Sequence, residues 1–250
     1  MPERIATRLY IPDPLAAGIE VALDGAQAHR LQHVLRLDPG DVVAGFNPRD
    51  GEWLCRIAEL RRNRATLRAL ESRRAPEPEA DVWLLLAPIK RTRLDWLVEK
   101  ATELGAAALV PVITARTQPE RLNAERLMAL AVAAAEQSER LSVPTIHALE
   151  PLDRVLARWP AGRGLLVCDE SGGGAPIAEA LTAFPVGAPA AILCGPEGGF
   201  TETELDALGK LPIVTRIGLG PRILRAETAA LAALSVFQAI AGDWRRRRLR

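Results

Sequence analysis

The sequence predicts an α/β protein in two parts: a small antiparallel β-barrel over residues 1–72, and an α/β domain with a mostly parallel sheet over 82–250, joined by a linker at 73–81. Three observations predict it. Up to Leu70, short β-prone runs are punctuated by Asp24-Gly25, Pro39-Gly40 and Asp50-Gly51, which is turn and hairpin chemistry. Arg73 to Asp81 carries Pro76 and Pro78 among charged residues without periodicity, the composition of a linker. From Val82 onward, short apolar runs alternate with segments of helical periodicity, and that alternation implies parallel strands covered by helices.

In the first part the expected strands are Ile5 to Ile11, Glu20 to Leu23, Val42 to Phe46, Glu52 to Ile57 and Arg64 to Leu70. One helix, Ala26 to Leu35, interrupts them. Its Ala28, Leu31, Val34 and Leu35 share a face, because residues three and four apart are neighbours on a helix. His29, Arg30, His33 and Arg36 supply polar groups that suit RNA phosphates or bases, or a solvated edge. Arg56, Arg61, Arg62, Arg64, Arg68, Arg73 and Arg74 face only Glu59 and Glu71 over the same interval, so a local basic stripe is expected.

In the second part, Val82 to Ala87 is an apolar strand. Leu94, Leu97, Val98, Ala101 and Leu104 then recur at helical spacing before the stop at Gly105. Strand Ala107 to Ile113 follows, then a helix from near Pro119 that buries Leu122, Leu127, Leu130, Ala131 and Ala134. The pattern repeats as strand Leu165 to Cys168, helix Ile177 to Leu181, strand Ala190 to Cys194, helix Glu202 to Leu208, strand Ile213 to Ile217 and helix Ala226 to Ile240. Arg245 to Arg250 form a basic tail.

Composition narrows the function classes. With 250 residues, 48% of them hydrophobic and 25% charged, the chain can bury a proper core. No apolar run reaches the roughly 18 residues of a membrane helix, and no apolar stretch of signal-peptide type follows Met1-Pro2-Glu3-Arg4, so a cytoplasmic location away from membranes is expected. Cys55, Cys168 and Cys194 are far apart in sequence and lack histidine at ligand spacing. They read as small buried hydrophobes, with neither a disulfide framework nor a metal site. Net charge is +1, and only three of the 32 basic residues are lysines. Arginine suits bidentate phosphate contacts; the bias is equally expected from genomic base composition.

Two glycine-marked turns stand at strand carboxyl ends, where open α/β sheets bind ligands. One is Leu193-Cys194-Gly195-Pro196-Glu197-Gly198-Gly199-Phe200, and the other runs from Ile217-Gly218-Leu219-Gly220 through Pro221-Arg222-Ile223-Leu224-Arg225. Neither has the G-x-G-x-x-G or G-x-x-x-x-G-K-[ST] spacing of a phosphate cradle. Ser171-Gly172-Gly173-Gly174 lacks a following lysine and reads as a flexible loop. Bare backbone beside Leu193, Ile217, Leu219 and Leu224 suits a flat, uncharged adenine, or two tight connections.

These residues also carry a resemblance. Gly195 to Phe200, together with Leu219-Gly220-Pro221-Arg222-Ile223-Leu224-Arg225-Ala226-Glu227-Thr228-Ala229, resembles the signature of the SPOUT methyltransferases and, within them, of the RsmE family. His29 to Gly40, Asp95 to Gly105, and Glu136-Gln137-Ser138-Glu139-Arg140 with Val143-Pro144 fit the same family. Glu139 departs from it, standing where glycine is expected, and Arg93 varies the usual basic start of its helix.

The resemblance implies a PUA-like N-terminal barrel and a SPOUT domain with a C-terminal trefoil knot. It implies a homodimer that transfers a methyl group from S-adenosylmethionine to N3 of a uridine in small-subunit (16S) ribosomal RNA, either free or in the assembled subunit. It assigns the cofactor to Leu193, Gly195, Glu197, Gly198, Gly199, Ile217, Leu219, Gly220 and Leu224. Arg225 is then expected to hold a phosphate or the deprotonated uracil oxygen, Glu197 or Glu227 to act as base, and Arg91 and Arg93 to join the RNA contacts or remain solvated. No metal is required, because the sulfonium is already activated. The rivals are a non-catalytic RNA-binding protein and a related enzyme acting on ribose 2′-hydroxyls.

Overall fold

A computed structural model describes residues 4–61, 64–118 and 122–245. Arg62, the Pro119 start of a helix and the tail beyond Arg245 lie outside the described residues. The chain forms two compact units, one of the residues up to Pro78 with Ala135–Val143, the other of Glu79–Ala134 with the chain from Pro144 onward.

The first unit contains β1 (Arg8–Tyr10), β2 (Glu20–Leu23), α1 (Gly25–His29), β3 (Val42–Asn47), β4 (Gly51–Arg61) and β5 (Arg64–Arg74). The strands pair in the order β1-β3-β4-β5-β2. The sheet is not wholly antiparallel as expected, since β1 runs parallel to β3. Asp24-Gly25 is not a hairpin turn either. Asp24 caps α1, accepting from the Gln27 amide at 2.7 Å while the Gln27 side chain accepts from the Asp24 amide, a reciprocal capping box. After α1 the chain widens into a π-helical turn, Arg30–Val34, closed by the Leu35 amide on the Arg30 carbonyl at 2.9 Å. The predicted linker also begins late, because Arg73 and Arg74 are still strand.

Alternation explains β5, whose Ala65, Leu67 and Ala69 are buried while Arg64, Arg68, Glu71 and Arg73 face water. It fails for β3, where all six residues are buried. Val43 joins the core of Leu9, Ile57 and Leu67 on one side, while Phe46 packs with Ala135 and Leu141 on the other. Arg8 fastens the returning segment. Its guanidinium lies over the Phe46 ring, bonds Glu52 at 2.7 Å, and donates to the carbonyls of Ala135, Glu136 and Arg140 at 3.1, 2.9 and 2.8 Å.

The second unit runs β6 (Val82–Leu86), α2 (Arg91–Glu103), β7 (Ala108–Ile113), α3 (Ala124–Gln137, whose last turn belongs to the first unit), β8 (Thr145–Ile146), β9 (Glu150–Pro151), α4 (Leu152–Ala157), β10 (Gly164–Cys168), β11 (Ala175–Pro176), α5 (Ile177–Thr182), β12 (Ala190–Cys194), α6 (Glu202–Gly209), β13 (Val214–Gly218) and α7 (Ala226–Ile240). The strand order is β11-β13-β10-β12-β6-β7-β8, with β9 beside β7. Each recorded pair in this sheet is parallel, and β6, β10 and β12 are buried hydrophobic runs, as strands covered on both faces must be. The short β8, β9, β11 and α4 have no periodicity long enough to read from sequence.

Alpha-helix α7 directs Ala230, Ala233, Leu234 and Phe237 into the core, each no more than 1% exposed. Ala230 and Ala233 therefore serve packing within the chain. Buried Gln238 donates to the Leu104 carbonyl at 2.9 Å and accepts from the Asp243 amide at 3.2 Å, tying α7 to the predicted glycine stop, where Gly105 has φ +88°.

Candidate active site

Strands β10, β12 and β13 are neighbours, so the chain leaving each of them at its carboxyl end opens on the same edge of the sheet. A cleft of about 920 Å³ lies there. The turn after β12 contributes Gly195, Glu197, Gly198 and Gly199, and the turn after β13 contributes Leu219, Gly220, Leu224 and Arg225. Leu193 and Ile217 are completely buried and lie outside the lining, holding the strands beneath it.

The two turns are built differently. Gly199 has φ +67°, and a Cβ there would lie 1.7 Å from the Glu170 carboxylate; its amide donates to the Pro196 carbonyl at 2.9 Å. Arg116 donates to the Gly198 carbonyl at 2.7 Å, and a Cβ at Gly195 would meet the Phe200 ring at 2.9 Å. Beyond Phe200, Thr201 and Glu204 form a capping box for α6. Burial pushes the Glu204 carboxyl up, but hydrogen bonds from the Ala115 and Thr201 amides outweigh it and hold the group below its ordinary value. By contrast, Gly220 has φ +96° with nothing within 4 Å of its added Cβ, and Ile223 is 87% exposed.

A third wall follows β10. Cys168, Asp169, Glu170, Ser171, Gly172 and Gly174 line the cleft. The glycine cluster is thus no idle loop: Gly174 abuts the Ile217–Gly218 backbone, where a Cβ would be 2.6 Å away, and β11 pairs with β13 just after it. Asp169 is fixed by Arg216 at 2.6 Å. Its burial raises the carboxyl, while hydrogen bonds from Ser171 and Arg216 pull it below the ordinary value. The only sequence signal for this wall is its position after an apolar strand in a parallel sheet.

Charge gathers at one end. Arg93, in the first turn of α2, lines the cleft and donates to Glu197 at 2.6 Å. Its Nε stands 3.6 Å from Glu227 Oε1. Glu227 is 7% exposed, sits in the first turn of α7 where the helix dipole favours an anion, and its Oε2 is buried without a hydrogen-bond partner among the described residues. Arg225 is the exposed N-cap residue of α7, with no ion pair among the described residues. Arg91 is exposed at the start of α2 and outside the cleft lining.

The remaining expected RNA contacts lie in the first unit. His29 and His33 are exposed with ring centroids 4.7 Å apart. Arg36 is exposed at φ +56°, while Arg30 is partly committed to an ion pair with Glu136. No cluster of three or more metal-ligating side chains occurs among the described residues.

Residues 76–238 match the RNA methyltransferase domain family, and residues 23–70 match the RNA methyltransferase PUA domain. Ribosomal RNA small subunit methyltransferase E of Rickettsia conorii is 34% identical over 91% of this chain and 93% of its own. The protein of that name from Bacillus subtilis is 31% identical over 86% and 88%. Among solved structures, ribosomal RNA small subunit methyltransferase E from Neisseria gonorrhoeae bound to S-adenosyl methionine superposes with a TM-score of 0.83 at 27% identity, covering 95% of this chain and 99% of that one. A putative methyltransferase from Legionella pneumophila, in complex with the same cofactor, gives 0.83 at 27%, covering 96% and 99%.

Proposed function

This chain belongs to the RNA methyltransferase family, and from that premise we propose that it uses S-adenosylmethionine to methylate N3 of one uridine in small-subunit ribosomal RNA. The observation that carries the reading is the meeting of three strand ends around a cleft whose walls are bare glycine backbone, with an ion-paired arginine and a buried carboxylate at one end. The fit rests on the same place. At Gly198 and Gly220 the main chain is exposed, so backbone groups there can meet an adenine directly, while Leu219 and Leu224 supply the apolar sides.

When bound, S-adenosylmethionine supplies a methyl group already activated by its sulfonium charge. What the chain must add is position and a proton acceptor. Between the two candidate bases, Glu197 is half-exposed and bonded to Arg93, whereas Glu227 keeps one buried oxygen without a partner among the described residues. Glu227 is the better acceptor for the N3 proton. Arg225, exposed beside the cleft and without an ion pair among the described residues, holds an RNA phosphate or the negative uracil oxygen that deprotonation creates. Arg93 positions Glu197 and Glu227. His29, Arg30, His33, Arg36 and Arg91 contribute RNA contacts outside the cleft.

The finer reading is a cytoplasmic homodimer with the C-terminal segment knotted and the substrate bound as free ribosomal RNA or assembled small subunit. No described helix is long and apolar enough to cross a membrane. The test is Arg225→Ala: cofactor affinity by calorimetry stays within about twofold, while turnover on ribosomal RNA falls about 100-fold, the size of one lost oxyanion contact. Unchanged turnover removes Arg225 from the site. Failure of the wild-type protein to bind S-adenosylmethionine, or retained binding in Gly199→Trp, removes the cofactor from this cleft. Mass spectrometry of digested RNA separates base from ribose methylation.

A further inference from the structure

Two of the three cysteines meet in the cleft. Cys168 ends β10 and Cys194 ends β12, and the parallel register that pairs Val167 with Leu193 sets the two cysteines side by side one residue later. Their sulfurs are 3.5 Å apart, with the Cys194 thiol donating to Cys168 Sγ. Neighbouring strands lie about 4.7–4.9 Å apart, inside the roughly 4.4–6.8 Å Cα separation that a disulfide spans. Both cysteines line the cleft, at 7% and 2% exposure.

We propose that Cys168 and Cys194 are a redox-modification site in the floor of the cleft, oxidised by a small hydroperoxide to a disulfide that excludes the cofactor, and shielded from oxidation when the cofactor is bound.

The chemistry divides between the two thiols. The hydrogen bond to Cys168, and then burial, keep Cys194 protonated well above the ordinary thiol range. Cys168 is the more exposed of the two, 7% against 2%, and is the sulfur that a small peroxide in the cleft reaches first. The Cys168 thiolate attacks one peroxide oxygen, the O–O bond breaks, and the other oxygen leaves as an alcohol or water carrying the proton that Cys168 gave up. The sulfenic acid formed is adjacent to Cys194. Sulfur of Cys194 then attacks it, the S–S bond forms, the S–O bond breaks, and water leaves with the thiol proton. Two thiols have lost two electrons and two protons; the hydroperoxide has become alcohol and water. A dithiol reverses the step.

The structure also shows why the cofactor would feel it. Closing the sulfurs from 3.5 Å to the roughly 2.05 Å of a disulfide turns both cysteine side chains and pulls on the ends of β10 and β12. Glu170, two residues after Cys168, is already pressed on Gly199, five residues after Cys194, with no room for even a methyl group between them. Motion at the cysteines is therefore passed directly to the turn that presents bare backbone. Cys55 is the internal control: it is buried in the other unit, with its thiol pushed up to about 11 mainly by burial, and the structure gives it no sulfur partner among the described residues.

The shielding rests on the cleft being the cofactor site, and the experiment separates the two. The full chain is treated with hydrogen peroxide with and without S-adenosylmethionine, then read by intact mass, peptide mapping and calorimetry. Without cofactor we expect a loss of about 2 Da, a Cys168–Cys194 cross-linked peptide, and affinity weakened at least about tenfold and restored by dithiothreitol. With cofactor at about 100 times its Kd, oxidation slows about 100-fold, since only the free fraction reacts. Cys168→Ser and Cys194→Ser, each compared with its own untreated sample, show neither the mass loss nor a peroxide-dependent change in affinity; Cys55→Ser behaves as wild type. A wild-type protein that gains oxygen mass instead of losing about 2 Da overturns the proposal. So does a disulfide that leaves affinity unchanged or forms as fast with cofactor present. If Gly199→Trp still abolishes binding in that case, the cofactor site stands and only the redox site falls.

Discussion

The two glycine turns look alike in the sequence and behave differently in the fold. After β12, Gly199 is walled in by Glu170, Gly198 is held by Arg116, and Gly195 faces Phe200. After β13, Gly220 has open space around it and Ile223 projects into solvent. Both have positive φ, but only the first combines it with close packing. One turn is a clamped wall, set before any ligand arrives; the other is free to adjust. Two kinds of glycine requirement, room and backbone conformation, can therefore be separated within one site.

That difference can be broken at Gly199. Gly199→Ala places a methyl group 1.7 Å from the Glu170 carboxylate at φ +67°. We expect about 2–3 kcal/mol lost in urea unfolding and at least about a tenfold loss of cofactor affinity by calorimetry. Adding Glu170→Ala removes the obstruction and should recover more than half of the stability loss, leaving the backbone cost. Gly220→Ala, where only the backbone term applies, should cost about 1 kcal/mol. Equal losses at the two glycines would mean that the turns are not distinguished by packing.

A smaller effect probes the anchoring of the clamped turn. Glu204 accepts from Ala115 at 2.7 Å and Thr201 at 2.8 Å, and its carboxyl is held below its ordinary value of 4.5. Asp169 is likewise held below 3.8. For a group depressed by folding, the stabilisation is complete above the unfolded value and disappears as pH falls through the folded one. Urea midpoints should thus be level from about pH 7 to 5.5 and fall below about pH 4.5, where unfolded carboxylates begin to protonate. Glu204→Gln should make that decline shallower; an unchanged slope would remove Glu204 as a contributor.

The smallest expected change is a gain. Glu139 adopts φ +61° just past the end of α3, where the Arg140 amide returns to the Ala135 carbonyl. That is a helix stop that favours glycine. Glu139→Gly should raise stability by about 0.5–1 kcal/mol, seen as a higher Tm.

Several features were legible from short-range pattern. The strand–helix alternation after Val82, the glycine stop at Gly105 and the two turns all follow from side-chain period and backbone permissiveness. The departure at Glu139 was visible as an odd residue, although its cause, a left-handed backbone, needed the fold. The wall after β10 is not announced by Ser171-Gly172-Gly173-Gly174, which is a loop with no local signature beyond its glycines. Its meaning comes from Gly174 lying against β13, more than 40 residues later in the chain. Arg93 was a candidate RNA contact by position, and only the folded chain puts Glu197 and Glu227 beside it.

By itself, then, the sequence determined the class of fold, the turns that bare their backbone, and the residues carrying the family signature, since period, turn chemistry and motif are properties of neighbours along the chain. Tertiary structure alone decided that Ala135–Val143 returns to cover the second face of β3, that β10 stands between β12 and β13, and that Cys168 meets Cys194. Strand order and side-chain partnership are set by which distant surfaces bury one another, and that choice leaves no trace in any single stretch of residues.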